Sequence, residues 1–166
     1  MAVIIGVARE TAQGERRVAL TPETAKKLVA AGAQVRVQRG LGAFAHFPDQ
    51  AYADAGAQLV DGDVLADADV ALCVQPPPPE AIARMKPGAV LVGALQPQAD
   101  EARADALRAR GVVAFPLERL PRTTRAQAMD ILSSQAGIAG YKAVLIAAQL
   151  APRYFPMLTT AAGTIR

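Results

Sequence analysis

Short apolar runs alternate along the chain with segments of helical pattern, and this alternation constrains the fold more than any other feature. The first run covers residues 2–7 and is rich in β-branched side chains. Five similar runs follow, at 35–37, 58–60, 70–74, 89–92 and 112–115. Runs of this length between helices are typical of strands in βαβ units. The sequence therefore predicts an α/β fold with a six-stranded, doubly wound, mostly parallel sheet of the Rossmann-like or flavodoxin-like type.

Capping residues predict where the helices begin. Thr21 stands directly before Pro22, an order that favours an N-cap followed by the first helical residue. Asp100 is a second candidate N-cap, for a helix that ends near Arg110. The longest helix is predicted at 134–150, where apolar side chains recur at helical spacing.

Composition indicates a folded domain and excludes several classes of protein. The chain has 166 residues, of which 52% are hydrophobic and 20% charged, as expected for a soluble globular domain. The net charge of +3 arises from scattered residues without a basic stripe, so we expect no nucleic-acid partner. Lys142 and Gln149 interrupt the most apolar stretch, so we expect no direct membrane insertion. The N-terminus has the pattern of a strand rather than of a signal peptide, which favours the cytoplasm.

One polar segment, 121–135, stands out among the loops that follow predicted strands. It carries two guanidinium groups, one carboxylate, two amides and four hydroxyls, and it precedes the longest helix. Ligands of open α/β sheets bind beyond the carboxyl ends of the strands, so this set is suited to gripping a dinucleotide. The alternative is structural, with Ser or Thr capping the helix and Arg and Asp forming a surface ion pair.

Four other features have mainly structural interpretations. Arg17 either binds a substrate carboxylate or pairs with Glu15. Cys73 lies in an apolar strand, where a cysteine is usually a small core residue. The prolines at 76–79 are expected to form a rigid connector, and His46 is expected to pack in its loop. With a single Cys and a single His, no structural zinc site is expected.

Residues 122–141, followed by 155–164, closely resemble the NAD(H)-binding component of proton-translocating NAD(P) transhydrogenases. The sequence Glu-Arg-Arg-Val-Ala-Leu-Thr-Pro at 15–22 resembles an opening motif that this family shares with alanine dehydrogenase, and the likeness continues through 55–57. The resemblance covers essentially the whole chain.

The resemblance implies site residues and a reaction. The expected catalytic residues are Arg122, Gln127 and Asp130, at the nicotinamide end of the cofactor, with Arg125 and Ser133 as further cofactor-binding residues. The family's reaction is hydride transfer from NADH to NADP⁺ coupled to proton translocation. Hydride transfer needs no protein acid or base, because the nicotinamides carry the chemistry.

Alanine dehydrogenase is the competing interpretation. By resemblance, its catalytic Lys and His correspond here to Gln75 and Gln96, neither of which exchanges a proton at neutral pH. The sequence therefore favours the transhydrogenase interpretation. A non-catalytic assembly module is the third alternative.

The Gly-x-Gly-x-x-Gly turn of a nucleotide-binding half is missing from the sequence. Gly40-Leu41-Gly42 lacks the third glycine and a following helix. We therefore expect 1–133 to be the N-terminal subdomain and 134–166 a connecting helix that leads toward a separate NAD-binding subdomain. The chain would then be a truncated product or a separately encoded piece, and would bind NAD(H) weakly or not at all alone.

The resemblance also implies partners. These are membrane-spanning subunits, a subunit that binds NADP(H), and a second copy of the complete subunit in a homodimer. The expected location is the cytoplasmic face of the inner membrane.

Overall fold

The computed structural model describes residues 2–153, 155 and 157–165. They divide into two compact units, Met1–Pro121 and Arg122–Arg166. Pro156, which belongs to the resemblance noted above, lies outside the described residues.

The first unit is built on a six-stranded, wholly parallel sheet. The strands are β1 (Ile4–Val7), β2 (Gln34–Gln38), β3 (Gln58–Val60), β4 (Val70–Leu72), β5 (Val90–Gly93) and β6 (Val113–Pro116). They lie in the order β3-β2-β1-β4-β5-β6, which is the order of the dinucleotide-binding sheet and not that of flavodoxin. The predicted fold class is confirmed, and the order settles which of the two types applies.

Four α-helices connect these strands: α1 (Pro22–Ala30), α2 (Asp49–Asp54), α3 (Pro79–Arg84) and α4 (Glu101–Arg110). The Thr21 hydroxyl accepts the Thr24 N–H at 3.3 Å, and the Asp100 carboxylate accepts the Arg103 N–H at 3.1 Å. Both predicted N-caps are therefore confirmed. Two short 3₁₀ helices, Ala43–Ala45 and Leu117–Arg119, complete the unit.

Two apolar clusters hold the first unit together, because successive strand side chains alternate between the faces of the sheet. The first cluster joins β1 and β2 to helices α1 and α2, and its fully buried members include Val7, Val37, Ala25 and Tyr52. The second joins β4 and β5 to α3 and α4.

Gly6 shows how closely the connection between β3 and β4 passes the centre of the sheet. A Cβ at this position would lie 2.3 Å from the carbonyl oxygen of Val64 and 2.8 Å from the Cβ of Ala68. Only glycine leaves room for the connection at this distance.

The second unit contains the longest helix and a hairpin. It opens with a 3₁₀ helix (Thr124–Met129), continues with α5 (Ile131–Leu150) and ends with the antiparallel strands β7 (Leu158–Thr160) and β8 (Gly163–Ile165). The predicted start of α5 at residue 134 was wrong by three residues, because the Asp130 carboxylate caps the helix. The hairpin was not predicted.

No side chain of α5 is buried within the described residues. By length and composition alone this helix could cross a membrane. The sequence had predicted no membrane insertion, because Lys142 and Gln149 interrupt this apolar stretch. The same test is passed by helices that lie in the core of a soluble protein.

Candidate functional site

The predicted site residues all lie in the short stretch that leads into α5. Arg122 precedes the 3₁₀ helix, and Arg125 and Gln127 lie on it, all three with exposed side chains. Among the described residues, the side chains of Arg125 and Gln127 form no hydrogen bond or ion pair. Their donors and acceptors are therefore available to a ligand.

Asp130 interacts with two other candidate residues: it accepts hydrogen bonds from Ser133, and the charge of Arg122 acts on its carboxylate. Its Oδ1 accepts the backbone N–H groups of Leu132, at 2.9 Å, and Ser133, at 3.3 Å, while its Oδ2 accepts the Ser133 hydroxyl at 2.5 Å. These bonds, helped by the positive charge of Arg122, hold the pKa of Asp130 below its usual range. The carboxylate is ionised at neutral pH.

The structural alternative for this segment was wrong about the capping residue, because Asp130 and not a Ser or Thr is the N-cap of α5. A capping carboxylate still has acceptor capacity for a ligand, since each oxygen carries two lone-pair positions. The geometry thus brings Asp130 and Ser133 together, and within the described residues it leaves the side chains of Arg125 and Gln127 without a hydrogen-bond partner.

In the first unit, a cavity of about 570 Å³ lies at the carboxyl ends of β1 and β4. β1 and β4 are neighbours in the sheet, but the chain continues from β1 to β2 on one side of this pair and from β4 to β5 on the other side. Crevices at such a switch in direction are the usual ligand sites of doubly wound sheets. The proline run at 76–79 and apolar side chains such as Val64, Leu65 and Leu91 form much of the wall. The lining also includes charged or polar side chains: Arg9, Glu10, Thr11, Gln38, Asp63, Gln75, Arg84, Asp100 and Arg103.

The side chains of Glu10, Glu15, Arg17 and Gln75 form a hydrogen-bonded network that links the loops after β1 and β4 beside this cavity. The Glu10 carboxylate accepts the backbone N–H groups of Val74, at 2.6 Å, and Gln75, at 3.0 Å. The Gln75 side-chain amide donates to Glu15 at 2.8 Å, and Glu15 binds the Arg17 guanidinium through two bonds of 2.8 and 2.6 Å. Arg17 therefore pairs with Glu15, one of the two roles considered from the sequence.

The two carboxylates of this network have opposite pKa shifts. Bidentate pairing with Arg17, with a further bond from Gln75, lowers the pKa of Glu15 to about 2. Burial raises the pKa of Glu10, although its two backbone bonds act in the other direction. Glu15 thus stays ionised well into the acid range.

Glu15 gives a pH-dependent test of the network. Because its folded-state pKa lies below the ordinary value of 4.5, its contribution to stability is complete above pH 4.5 and disappears as the pH falls toward about 2. Glu15→Gln is expected to lower the free energy of unfolding by about 2 kcal/mol at pH 7. The difference from the parent chain should shrink between pH 4.5 and 2, as measured by urea denaturation.

The matched control for this test is Glu23→Gln, which removes an exposed partner of Lys27 on α1. It is expected to leave the urea midpoint nearly unchanged at every pH. A Glu15→Gln difference that stays constant from pH 7 to pH 2 would contradict the assigned role of the Arg17 pair.

A second carboxylate performs the same task on the loop after β5. Glu118 accepts the backbone N–H groups of Leu95, at 3.1 Å, and Gln96, at 2.7 Å. Gln96 has a φ of +43°, a left-handed conformation that is uncommon for a residue with a side chain. Neither Glu10 nor Glu118 was predicted from the sequence, where the available signal was an acidic residue just beyond the carboxyl end of β1 and of β6.

The remaining sequence candidates are structural. Cys73 is partly buried, its Sγ donates to the Val92 carbonyl oxygen at 3.6 Å, and burial raises the pKa of its thiol to about 12. His46 is exposed and ends a short 3₁₀ helix. The proline run begins beyond the end of β4 at Leu72 and leads into α3. Among the described residues, no group of three or more His, Cys, Asp and Glu side chains could hold a metal ion.

The structure also explains why Gly40-Leu41-Gly42 is not a phosphate loop. Leu41 is buried, and a Cβ on Gly42 would lie 2.4 Å from the Phe47 carbonyl oxygen. The chain packs against itself where a phosphate would have to approach the backbone. The N-terminus of α1 is likewise occupied, by Thr21 and by the ring of Pro22.

Curated relatives match nearly the whole chain. It is 42% identical to an NAD(P) transhydrogenase subunit alpha of Rhodospirillum rubrum over 97% of this chain and 44% of that protein. It is 34% identical to alanine dehydrogenase of Bacillus subtilis over 89% of this chain and 38% of that protein. The chain thus spans less than half the length of these relatives.

A crystal structure of transhydrogenase from Sinorhizobium meliloti matches 98% of this chain and 47% of that chain, with a TM-score of 0.89 and 41% identity. The family model described as "Alanine dehydrogenase/PNT, N-terminal domain" matches residues 6–139. The chain therefore belongs to the alanine dehydrogenase/PNT N-terminal domain family.

Proposed function

We propose that this chain is the N-terminal portion of the NAD(H)-binding component of a proton-translocating transhydrogenase. The complete enzyme would transfer a hydride from NADH to NADP⁺ and couple the transfer to proton movement. The observation that carries the proposal is the segment 122–133, which contains an ionised carboxylate together with exposed guanidinium and amide groups. The sequence likeness to a transhydrogenase subunit over 97% of the chain supports it.

These side chains fit the nicotinamide end of the cofactor. A carboxamide both donates and accepts, and so does the free Gln127 amide. Asp130 accepts from an amide or ribose hydroxyl, Arg122 and Arg125 donate to carbonyl or phosphate oxygens, and Ser133 holds Asp130. The bound nicotinamide would supply the hydride, and these residues would orient it.

The rest of the dinucleotide does not fit this chain equally well. At the start of α1, Pro22 has no N–H and the Thr24 N–H is already bound to Thr21, and the sequence contains no glycine-rich turn. We therefore assign the pyrophosphate to a second, NAD-binding subdomain. Residues 1–133 would form the first subdomain, and 134–166 would lead toward the second.

Alanine dehydrogenase is the alternative function, and the side chains at the carboxyl edge of the sheet argue against it. Oxidation of an amino acid needs a group that exchanges protons at neutral pH. Gln75 and Gln96 follow β4 and β5, and neither amide is such a group. A non-catalytic assembly module remains a second alternative, in which the same fold serves only to bind other subunits.

The partners we propose are a membrane-spanning subunit, a subunit that binds NADP(H), and a second copy of the complete subunit. The assembly would lie on the cytoplasmic face of the membrane. We assign α5 to packing within this assembly and not to the bilayer. Lys142 lies near the middle of the helix, and a lysine at the centre of a bilayer-spanning helix costs about 2.5–3.5 kcal/mol.

The test is an assay of a complete enzyme that contains this chain. Hydride transfer between NADH and NADP⁺ is expected, and NAD⁺ reduction with L-alanine is not. Calorimetric titration of the 166-residue chain with NADH is expected to give weak binding or none. Alanine-dependent NAD⁺ reduction without transhydrogenation would establish the alternative, and micromolar affinity of the chain alone would refute the division of the cofactor site.

A further inference from the structure

Two carboxylates hold the loops after β4 and β5 in the same way. Glu10 accepts two consecutive backbone N–H groups, of Val74 and Gln75, and Glu118 accepts two consecutive N–H groups, of Leu95 and Gln96. Each carboxylate lies more than 20 positions in sequence from the two N–H groups that it binds. We call these two arrangements the carboxylate clamps.

Both clamps act at the edge of the sheet where ligands bind. Glu10 follows β1 and reaches across to the loop after β4, its neighbour in the sheet. Glu118 follows β6 and reaches back to the loop after β5, its own neighbour. Two strong bonds from one ionised acceptor fix a backbone more firmly than neutral bonds do.

The residue at the end of each clamp has a different environment. The Gln75 side chain is already bound to Glu15, whereas Gln96 is exposed and, among the described residues, its side chain forms no hydrogen bond. Gln96 also has the left-handed φ of +43°. Left-handed backbone in a residue with a side chain persists only where its surroundings enforce it, and here Glu118 supplies two bonds that do so.

We propose that Glu10 and Glu118 are positioning residues for cofactor binding, which hold the loops carrying Gln75 and Gln96 in the conformation that bound NADH requires. This inference rests on the proposed function. Neither carboxylate needs to contact the cofactor. Each carboxylate acts through the backbone to which it is bound. The loops are then ordered before NADH binds, so the entropic cost of ordering them does not weaken the binding of NADH.

The experiment compares Glu10→Gln and Glu118→Gln with the control Asp105→Asn. A glutamine has the same shape but only one acceptor oxygen, so it satisfies one of the two N–H groups. Asp105 pairs with Arg108 on the exposed side of α4 and takes no part in either clamp. Amide hydrogen exchange is measured on the 166-residue chain, and kcat and KM for NADH on the complete enzyme.

In the Glu118→Gln chain, the Leu95 and Gln96 amides are expected to exchange at least tenfold faster, while amides of β1 stay protected. The Val74 and Gln75 amides should respond in the same way to Glu10→Gln. In the complete enzyme, each Gln variant is expected to raise KM for NADH several-fold and to change kcat by less than twofold. Asp105→Asn should change neither measurement.

Two results would overturn the clamps as positioning residues. One is unchanged exchange at the four amides, and the other is faster exchange with an unchanged KM for NADH, which would make the clamps purely structural. A parent enzyme without transhydrogenase activity would instead count against the proposed function, and the inference that depends on it would fall with it.

Discussion

Gln127→Asn, introduced into a complete enzyme that contains this chain, is expected to slow hydride transfer from NADH to NADP⁺ about 100-fold. The substitution keeps the amide but withdraws it by one methylene, and a displacement of about 1 Å in a positioning group costs this much. Gln127 is exposed, and its side chain forms no hydrogen bond with any described residue, so the substitution removes no such bond from the folded chain. The measurement is steady-state transhydrogenation at saturating NADH.

In the same assay, Asp130→Asn separates the role of this side chain as the N-cap of α5 from its proposed role in holding the cofactor. Asparagine caps helices as well as aspartate does, so α5 should keep its helix content by circular dichroism. The charge is lost, however, and with it the anion held beside Arg122. We expect a slower rate with an intact helix.

Gln50→Asn is the matched control, because it makes the same change at an exposed position of α2, outside the segment 122–133. Its rate should stay within about twofold of the parent. Full activity in both Gln127→Asn and Asp130→Asn would reject the roles proposed for this segment.

Tyr52→Ala is expected to lower the free energy of unfolding of the first unit by about 3–5 kcal/mol, the usual cost of truncating a buried aromatic side chain. Tyr52 is 0% exposed and belongs to the first apolar cluster. Its hydroxyl donates to the Leu20 carbonyl oxygen at 2.8 Å and thus ties α2 to the segment before α1. Urea denaturation measures the loss.

Two companion variants divide the effect of Tyr52→Ala. Tyr52→Phe keeps the ring and loses only the hydroxyl bond, so about 1 kcal/mol is expected. Phe44→Ala removes an aromatic side chain that is 71% exposed, and its effect should stay within about 0.5 kcal/mol. Equal losses in Phe44→Ala and Tyr52→Ala would contradict the description of the first cluster.

Local signals were enough to predict the six strands of the first unit and the starts of α1 and α4, but not its two short 3₁₀ helices. The Thr21 and Asp100 caps act on N–H groups three residues away, so the sequence alone contains both partners. The start of α5 was missed because Asp130, Ser133 and Ser134 all offer capping groups, and only the fold shows that Asp130 is used. The hairpin at 158–165 was missed because its strands have only three residues each.

The candidate site residues were named from the sequence, but their arrangement was not. Family resemblance drew attention to 122–133, since the order of residues there is specific. The bonds between Asp130 and Ser133, and the influence of Arg122 on that carboxylate, became visible only in three dimensions. Whether these residues contact a cofactor stays a prediction.

The sequence by itself determined the class of fold, the positions of its elements and the family, because strand periodicity, capping and motif order are all local in the chain. The tertiary structure decided the strand order, the cavity at the switch between β1 and β4, and the carboxylate clamps. Glu10 meets Val74 across 64 positions and Glu118 meets Leu95 across 23. Such pairs form because a parallel sheet brings the carboxyl ends of its strands to one edge, and no local pattern records which of them become neighbours.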